Sequence, residues 1–113
     1  MNDNKNKFHN FIGLARRAGK VVLGSEAIED AIRSKKALLV IVAADAAKGT
    51  AKRLMDKCKS YNVPCMVFGT KQSLGKITGV GEAAGVAVTH SSFANELIRM
   101  SEEFYGGGIN HEG

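Results

Sequence analysis

Apolar residues Phe8, Phe11, Ile12 and Ala15 recur at i, i+3, i+4 and i+7, which predicts an amphipathic helix from about Lys5 to Ala18. Gly19 is a natural C-terminal stop, and Arg16 and Arg17 fall in the last turn, where positive charge suits the helix dipole. A short extended piece, Lys20 to Leu23, follows. Gly24-Ser25 reads as a turn into a second helix, with Ser25 as N-cap, Glu26, Glu29 and Asp30 in the first turns, and Ala27, Ile28, Ala31 and Ile32 as its apolar face. The run Ala37 to Ala43 is apolar without alternation, the pattern of a strand buried on both faces, with helices above and below it.

The same reading continues to the end of the chain. A third helix is predicted over Thr50–Tyr61, with Ala51, Leu54, Met55 and Cys58 inward and Lys48, Lys52, Arg53, Lys57 and Lys59 outward; Asn62 ends it. Val63 to Phe68 reads as a strand, with Pro64 near its start, where a missing N–H is tolerated. Thr70 caps a short helix reaching Thr78, and Gly79 to Gly85 is a Gly/Ala loop. Val86 to Thr89 is the last strand, Ser91 or Ser92 the last cap, and Phe93 to Phe104 the last helix. Helices and strands alternate throughout, which predicts an α/β/α three-layer sandwich. Residues 1–105 form one domain on this reading, and residues 106–113, rich in glycine, form a flexible C-terminal tail.

Composition narrows the function classes. The 113 residues are 44% hydrophobic, enough for a core without disulfide or metal staples. The longest apolar stretch, Ala37 to Ala44, is far short of the roughly 20 residues a membrane span needs. The polar N-terminus lacks a secretory apolar region, so a cytoplasmic location is expected. Cys58 and Cys65 form no Cys-x-x-Cys pair and sit among apolar neighbours, as buried structural thiols do. His9, His90 and His111 are isolated, so neither a metal site nor any other cofactor is expected.

No stretch carries a catalytic motif. Gly69 to Thr78 resembles a phosphate-binding P-loop only superficially: five residues separate Gly69 from Gly75, and Ile77 replaces the metal-binding hydroxyl. Gly79-Val80-Gly81 lacks the third glycine of a dinucleotide fingerprint. No serine sits in a glycine-flanked nucleophile elbow. The expected protein is not an enzyme.

Charge is the positive signal. The formal net charge is +5, and it is unevenly spread. Residues 1–76 hold 15 Lys/Arg against six acids, a net of +9, whereas residues 77–113 carry −4. Arg16, Arg17 and Lys20 flank the first helix–strand junction, Lys35 and Lys36 end the second helix, and Gly24-Ser25 offers backbone N–H groups at a helix start. Cations, a glycine for close approach and helix-terminal donors suit a sugar–phosphate backbone. Aromatic residues make up only 6% of the chain and there is no Trp, which argues against base stacking on an aromatic sheet.

Five runs carry a family resemblance: Gly13 to Gly24 with its Ala15-Arg16-Arg17-Ala18-Gly19-Lys20 centre, Ala37 to Ala46, Asp56 to Pro64, Leu74-Gly75-Lys76, and Val86 to Ala94. Together they resemble the bacterial YlxQ-type branch of the ribosomal L7Ae family of kink-turn RNA-binding proteins. The resemblance implies a mixed four-stranded sheet and a small, non-enzymatic protein that binds structured RNA, ribosomal RNA included; a monomer is expected. It implies RNA contact at Gly24, Ser25 and Glu26, and at the loop Thr89, His90 and Ser91 after the last strand. Where the family's kink-turn readers carry an Asn or Lys, a Glu or Gln, and a Lys three residues later, this chain has Glu26, Ala27 and Asp30. Those substitutions point toward an RNA motif bound mainly through its backbone, or toward a protein-interaction module that has kept the fold.

Overall fold

The computed structural model describes residues 3–105; the expected tail at 106–113 lies outside them. The elements in chain order are α1 (Asp3–Arg17), β1 (Val21–Leu23), α2 (Ser25–Arg33), β2 (Leu39–Val42), α3 (Lys48–Tyr61), β3 (Cys65–Val67), α4 (Lys71–Thr78), β4 (Gly85–Val88) and α5 (Ser91–Tyr105). The strands form one sheet in the order β1-β4-β2-β3. β2 and β3 are parallel, and β4 is antiparallel to both its neighbours, β1 and β2. The sheet is therefore mixed.

The apolar run read from the sequence becomes β2, and all four of its residues are buried. Its side chains alternate between two cores. Leu39 and Ile41 join Phe8, Ile12, Leu74, Val86, Val88 and Leu97 on the face covered by α1, α4 and α5. Val40 and Val42 join Ile28, Ile32, Leu54, Cys58 and Ala87 on the face covered by α2 and α3. A central strand with no polar face needs a helical layer on each side, and the three-layer sandwich follows.

Glycines allow the tightest approaches. Gly85 lies inside β4 rather than in the preceding loop, and a Cβ there would stand 3.2 Å from both the Ile41 carbonyl oxygen and Leu54 Cδ1. In α4, a Cβ on Gly75 would stand 2.5 Å from the Gly81 carbonyl oxygen and 2.7 Å from Glu82 Cα. The loop from Gly79 to Ala84 thus runs back along α4, held by Val80 N–H to the Gly75 carbonyl (2.9 Å) and Ala83 N–H to the Lys71 carbonyl (3.0 Å).

Several boundaries differ from the sequence reading. α1 begins at Asp3 and α3 at Lys48. Met55 is exposed rather than inward, because Leu54 and Cys58 already fill the face of α3 against the sheet. Ala27 is exposed on α2 for the same reason, with Ile28, Ala31 and Ile32 buried. The N-cap of α2 is Gly24, with φ 93°, and Ser25 is already helical. A left-handed φ favours glycine at that position.

Candidate functional site

Strand directions decide which loops meet. β1, β2 and β3 end where β4 begins, so one end of the sheet collects the β1–α2 turn at Gly24, the β2–α3 loop Ala43–Ala47, the β3–α4 turn at Gly69 and Thr70, and the final residues of the α4–β4 loop. Continuing the register Leu23↔Val86 places Gly24 opposite Gly85, and the Ala43 N–H donates to the Ala84 carbonyl at 2.8 Å.

Three helices start at this Gly24 end, and their caps differ. α4 is fully served: Thr70 Oγ1 accepts from Ser73 N–H (3.0 Å), Ser73 Oγ accepts from Thr70 N–H (2.9 Å), and Asp45 Oδ1 accepts from Lys71 N–H (2.7 Å). α2 and α3 start at Gly24 and Ala47 with no side-chain cap. In α2 the Ile28 N–H bonds the Gly24 carbonyl at 2.8 Å, leaving the amides before it for water or a ligand. α2 and α3 pack side by side on one face of the sheet, so two uncapped, electropositive helix ends lie together. Lys48 is exposed at the start of α3, and Glu26 is exposed in the first turn of α2.

Charges along α2 and α3 are largely paired. Asp30 holds Arg33, and Glu29 accepts from Arg53 Nε at 2.8 Å and lies 3.8 Å from Arg33. Lys52 pairs with Asp56 at 2.8 Å. Asp30 thus presents a neutralised pair rather than a bare negative charge.

The opposite end of the sheet gathers the other candidates. The Lys20 carbonyl accepts from Thr89 N–H (2.9 Å) and Thr89 Oγ1 (3.1 Å), and the Leu38 N–H donates to the Val88 carbonyl (2.8 Å). Arg17, Lys20, Lys35, Lys36, Thr89, His90 and Ser91 all belong to this end. Arg16 is there as well, but its Nε donates to the Thr78 carbonyl at 3.0 Å, closing the C-terminus of α4. His90, rather than Ser91 or Ser92, caps α5: its Nδ1 accepts from Ser92 N–H at 3.2 Å.

Gly24–Ser25 and Thr89–Ser91, both expected to contact RNA, therefore lie at opposite ends of the sheet. Bringing them into one site would need β1 and β4 to run parallel, and they are antiparallel. Thr89 lies beside Lys20, while Gly24 lies about 13 Å away along β1 at 3.3 Å per residue. The loop whose end does reach Gly24, at Ala84, is Val80–Ala84, which the sequence reading weighed only as a dinucleotide fingerprint and did not assign to RNA. Its Val80, Gly81 and Glu82 are exposed.

Residues 6–98 match the Ribosomal protein L7Ae/L30e/S12e/Gadd45 family. The chain belongs to that family. Among proteins of the L7Ae type, it is 42% identical over 89 residues to the RNA-binding protein YlxQ of Bacillus subtilis (strain 168), covering 79% of this chain and 89% of that one. It is 41% identical over 76 residues to the RNA-binding protein YlxQ of Enterococcus faecium, covering 67% and 74%. Of solved structures, a protein of unknown function from Bacillus halodurans C superposes with a TM-score of 0.80 at 35% identity, covering 83% of this chain and 95% of that one. The Giardia lamblia 15.5kD RNA binding protein superposes with a TM-score of 0.75 at 21% identity, covering 94% and 92%, which places both in one L7Ae-like fold.

The remaining polar groups of the core have structural explanations. The Cys58 thiol is buried, and its hydrogen bond to Cys65 together with burial pushes its pKa up, keeping it protonated. His9 lines an open hollow of about 370 Å³ with Lys5, Ala44, Val67, Phe68 and Gly69. Its ring lies 4.6 Å from that of Phe68, and Nε2 is 3.0 Å from Ser73 Oγ. Desolvation lowers its pKa despite a backbone hydrogen bond at Lys5. Among the described residues, no group of three or more His, Cys, Asp or Glu could hold a metal ion, and no helix is long and apolar enough to cross a membrane.

Proposed function

We propose that this protein is a non-enzymatic RNA-binding protein that grips structured RNA at the Gly24 end of its sheet. The observation that carries the reading is the pair of uncapped helix starts there, α2 at Gly24 and α3 at Ala47. Backbone N–H groups at helix N-termini suit phosphate oxygens. The α4–β4 loop reaches this end at Ala84, and we assign its exposed Val80–Glu82 segment to the sugar face of a splayed nucleotide. Support comes also from the relatives in Bacillus subtilis and Enterococcus faecium that are named as RNA-binding proteins. Since the family's description is that of ribosomal proteins, ribosomal RNA is the first substrate class to test.

Recognition rests on backbone contacts more than on base edges. Ala27 offers no side-chain hydrogen bond, Asp30 is occupied by Arg33, and Glu26 alone can accept from a guanine edge. A kink-turn-like RNA is then held for its shape, with less sequence discrimination than a kink-turn reader achieves. The protein acts as a monomer on this reading: its exposed large apolar residues, Leu14, Leu38, Met55, Val67 and Val80, are scattered over different elements, an ordinary distribution for a monomer.

The test is a titration of a kinked internal-loop RNA across a series of salt concentrations. The expected result is binding at low salt that weakens linearly on a log–log plot, by about 0.7 to 0.9 per phosphate contact. A flat salt response, or no binding at low salt, contradicts the proposal.

A further inference from the structure

We propose that the end of the sheet opposite Gly24 is a second RNA-contacting surface, which holds the phosphate backbone of another RNA segment. This inference rests on the RNA-binding reading above. Its residues are Lys20, Lys35 and Lys36, with Arg17 at the margin.

The topology brings these cations together from separate connections. Lys20 precedes β1, and Lys35 and Lys36 lie between α2 and β2. Thr89 stands between the two segments, bonded to the Lys20 carbonyl on one side, and Val88 accepts from the Leu38 N–H on the other. Adjacent strands lie about 4.8 Å apart, so the backbones at Lys20 and Leu38 are about 10 Å apart. Duplex nucleic acid carries one charge per about 1.7 Å of axis, so a patch of that width faces several phosphates at once.

The charge of this patch is uncompensated. Arg17, Lys35 and Lys36 are exposed and Lys20 half-buried, and none has an acidic partner among the described residues. The Gly24 end differs: Glu26, Asp45 and Glu82 stand among its loops and offset Lys48 and Lys71 at the starts of α3 and α4. A polyanion is therefore drawn to the opposite end by charge, while the Gly24 end offers backbone donors.

Lys35 adds a second observation. It follows α2 with φ 66°, a left-handed conformation in which helix termini usually place glycine or asparagine. A lysine there costs about 1 kcal/mol relative to glycine. Gly19 and Gly79, at the ends of α1 and α4, also take left-handed φ and are glycines. Keeping a lysine where glycine folds better is explained if the ammonium group is used.

Two variants test this with one probe, an RNA hairpin of about 16 base pairs, which presents two successive minor grooves. The triple variant Lys20→Gln/Lys35→Gln/Lys36→Gln keeps uncharged polar side chains at these positions and removes three charges. Its log–log salt slope should fall by about 2.1 to 2.7 units, so that wild type loses roughly 20- to 40-fold more affinity than the variant between 50 and 200 mM salt. Lys35→Gly should raise the melting temperature and at the same time weaken RNA binding. If wild type binds and both variants keep its affinity and slope, the second surface is refuted and the RNA-binding reading stands. If wild type binds the kinked internal-loop RNA and not this hairpin at low salt, the second surface is refuted and the RNA-binding reading stands; if it binds neither, both fall.

Discussion

Replacing Gly75 by alanine tests the packing on which the Gly24 end depends. Gly75 is buried inside α4, where alanine ordinarily gains about 0.8–1.0 kcal/mol over glycine from helix propensity. Here the new methyl would lie 2.5 Å from the Gly81 carbonyl oxygen and 2.7 Å from Glu82 Cα. Both are backbone atoms, so relief requires the loop to move by most of an ångström. Overpacking of this kind costs about 3 kcal/mol, at the upper end of its usual range. The clash exceeds the propensity gain, and the net effect is a loss of about 2 kcal/mol, a drop in Tm of about 8 °C for a domain of this size. The control is Gly49→Ala in α3, where a Cβ meets nothing within 4 Å; it should gain about 0.5 kcal/mol. Thermal melts of the two variants beside wild type decide the matter. A Gly75→Ala protein that melts at or above the wild-type temperature, as Gly49→Ala should, would refute the close approach of the loop to α4. Displacing that loop should also weaken RNA binding, because Val80–Glu82 forms part of the proposed grip.

Other outcomes follow from the caps, the core and the half-buried His9. Thr70→Ala removes half of the α4 capping box and should cost about 1 kcal/mol in denaturant unfolding. Leu54→Ala, at a fully buried position between α3 and the sheet, should cost about 2 to 5 kcal/mol by the same assay. His9 has a folded pKa below its ordinary 6.5 because burial disfavours the imidazolium. Its contribution to stability is therefore full above pH 6.5 and is lost as the pH falls through the lowered folded value. His9→Gln should flatten the stability profile across that window, and an unchanged profile would contradict it.

Much of this fold is legible in the sequence because its signals are local. The unbroken run at Leu39–Val42 announces a doubly buried strand, and the i, i+3, i+4 spacing from Phe8 to Ala15 announces α1. Thr70 is read as a cap because a threonine there precedes a helical run, and the structure supplies its partner, Ser73, three residues on. What escapes the sequence depends on partners far along the chain. Strand direction has no local signature: Val86–Val88 has the same apolar pattern whether β4 runs parallel or antiparallel to β1. That single choice decides whether Thr89 or Ala84 stands beside Gly24. Ser25 has the right chemistry for an N-cap, yet the turn needs φ 93° one residue earlier, so the cap position falls to Gly24. His90 takes the capping place expected of a serine because its Nδ1 reaches the Ser92 amide. Arg16, read as a candidate for RNA, is committed to the Thr78 carbonyl 62 residues away.

The most direct test of the central claim is an amide chemical-shift map of the isotope-labelled protein, titrated at low salt with an unlabelled kinked internal-loop RNA. The account predicts the largest changes at Ser25, Glu26 and Ala27 in the first turn of α2, and at Val80, Gly81 and Glu82 in the loop beside it. RNA that binds and leaves both sets of amides unmoved would contradict it.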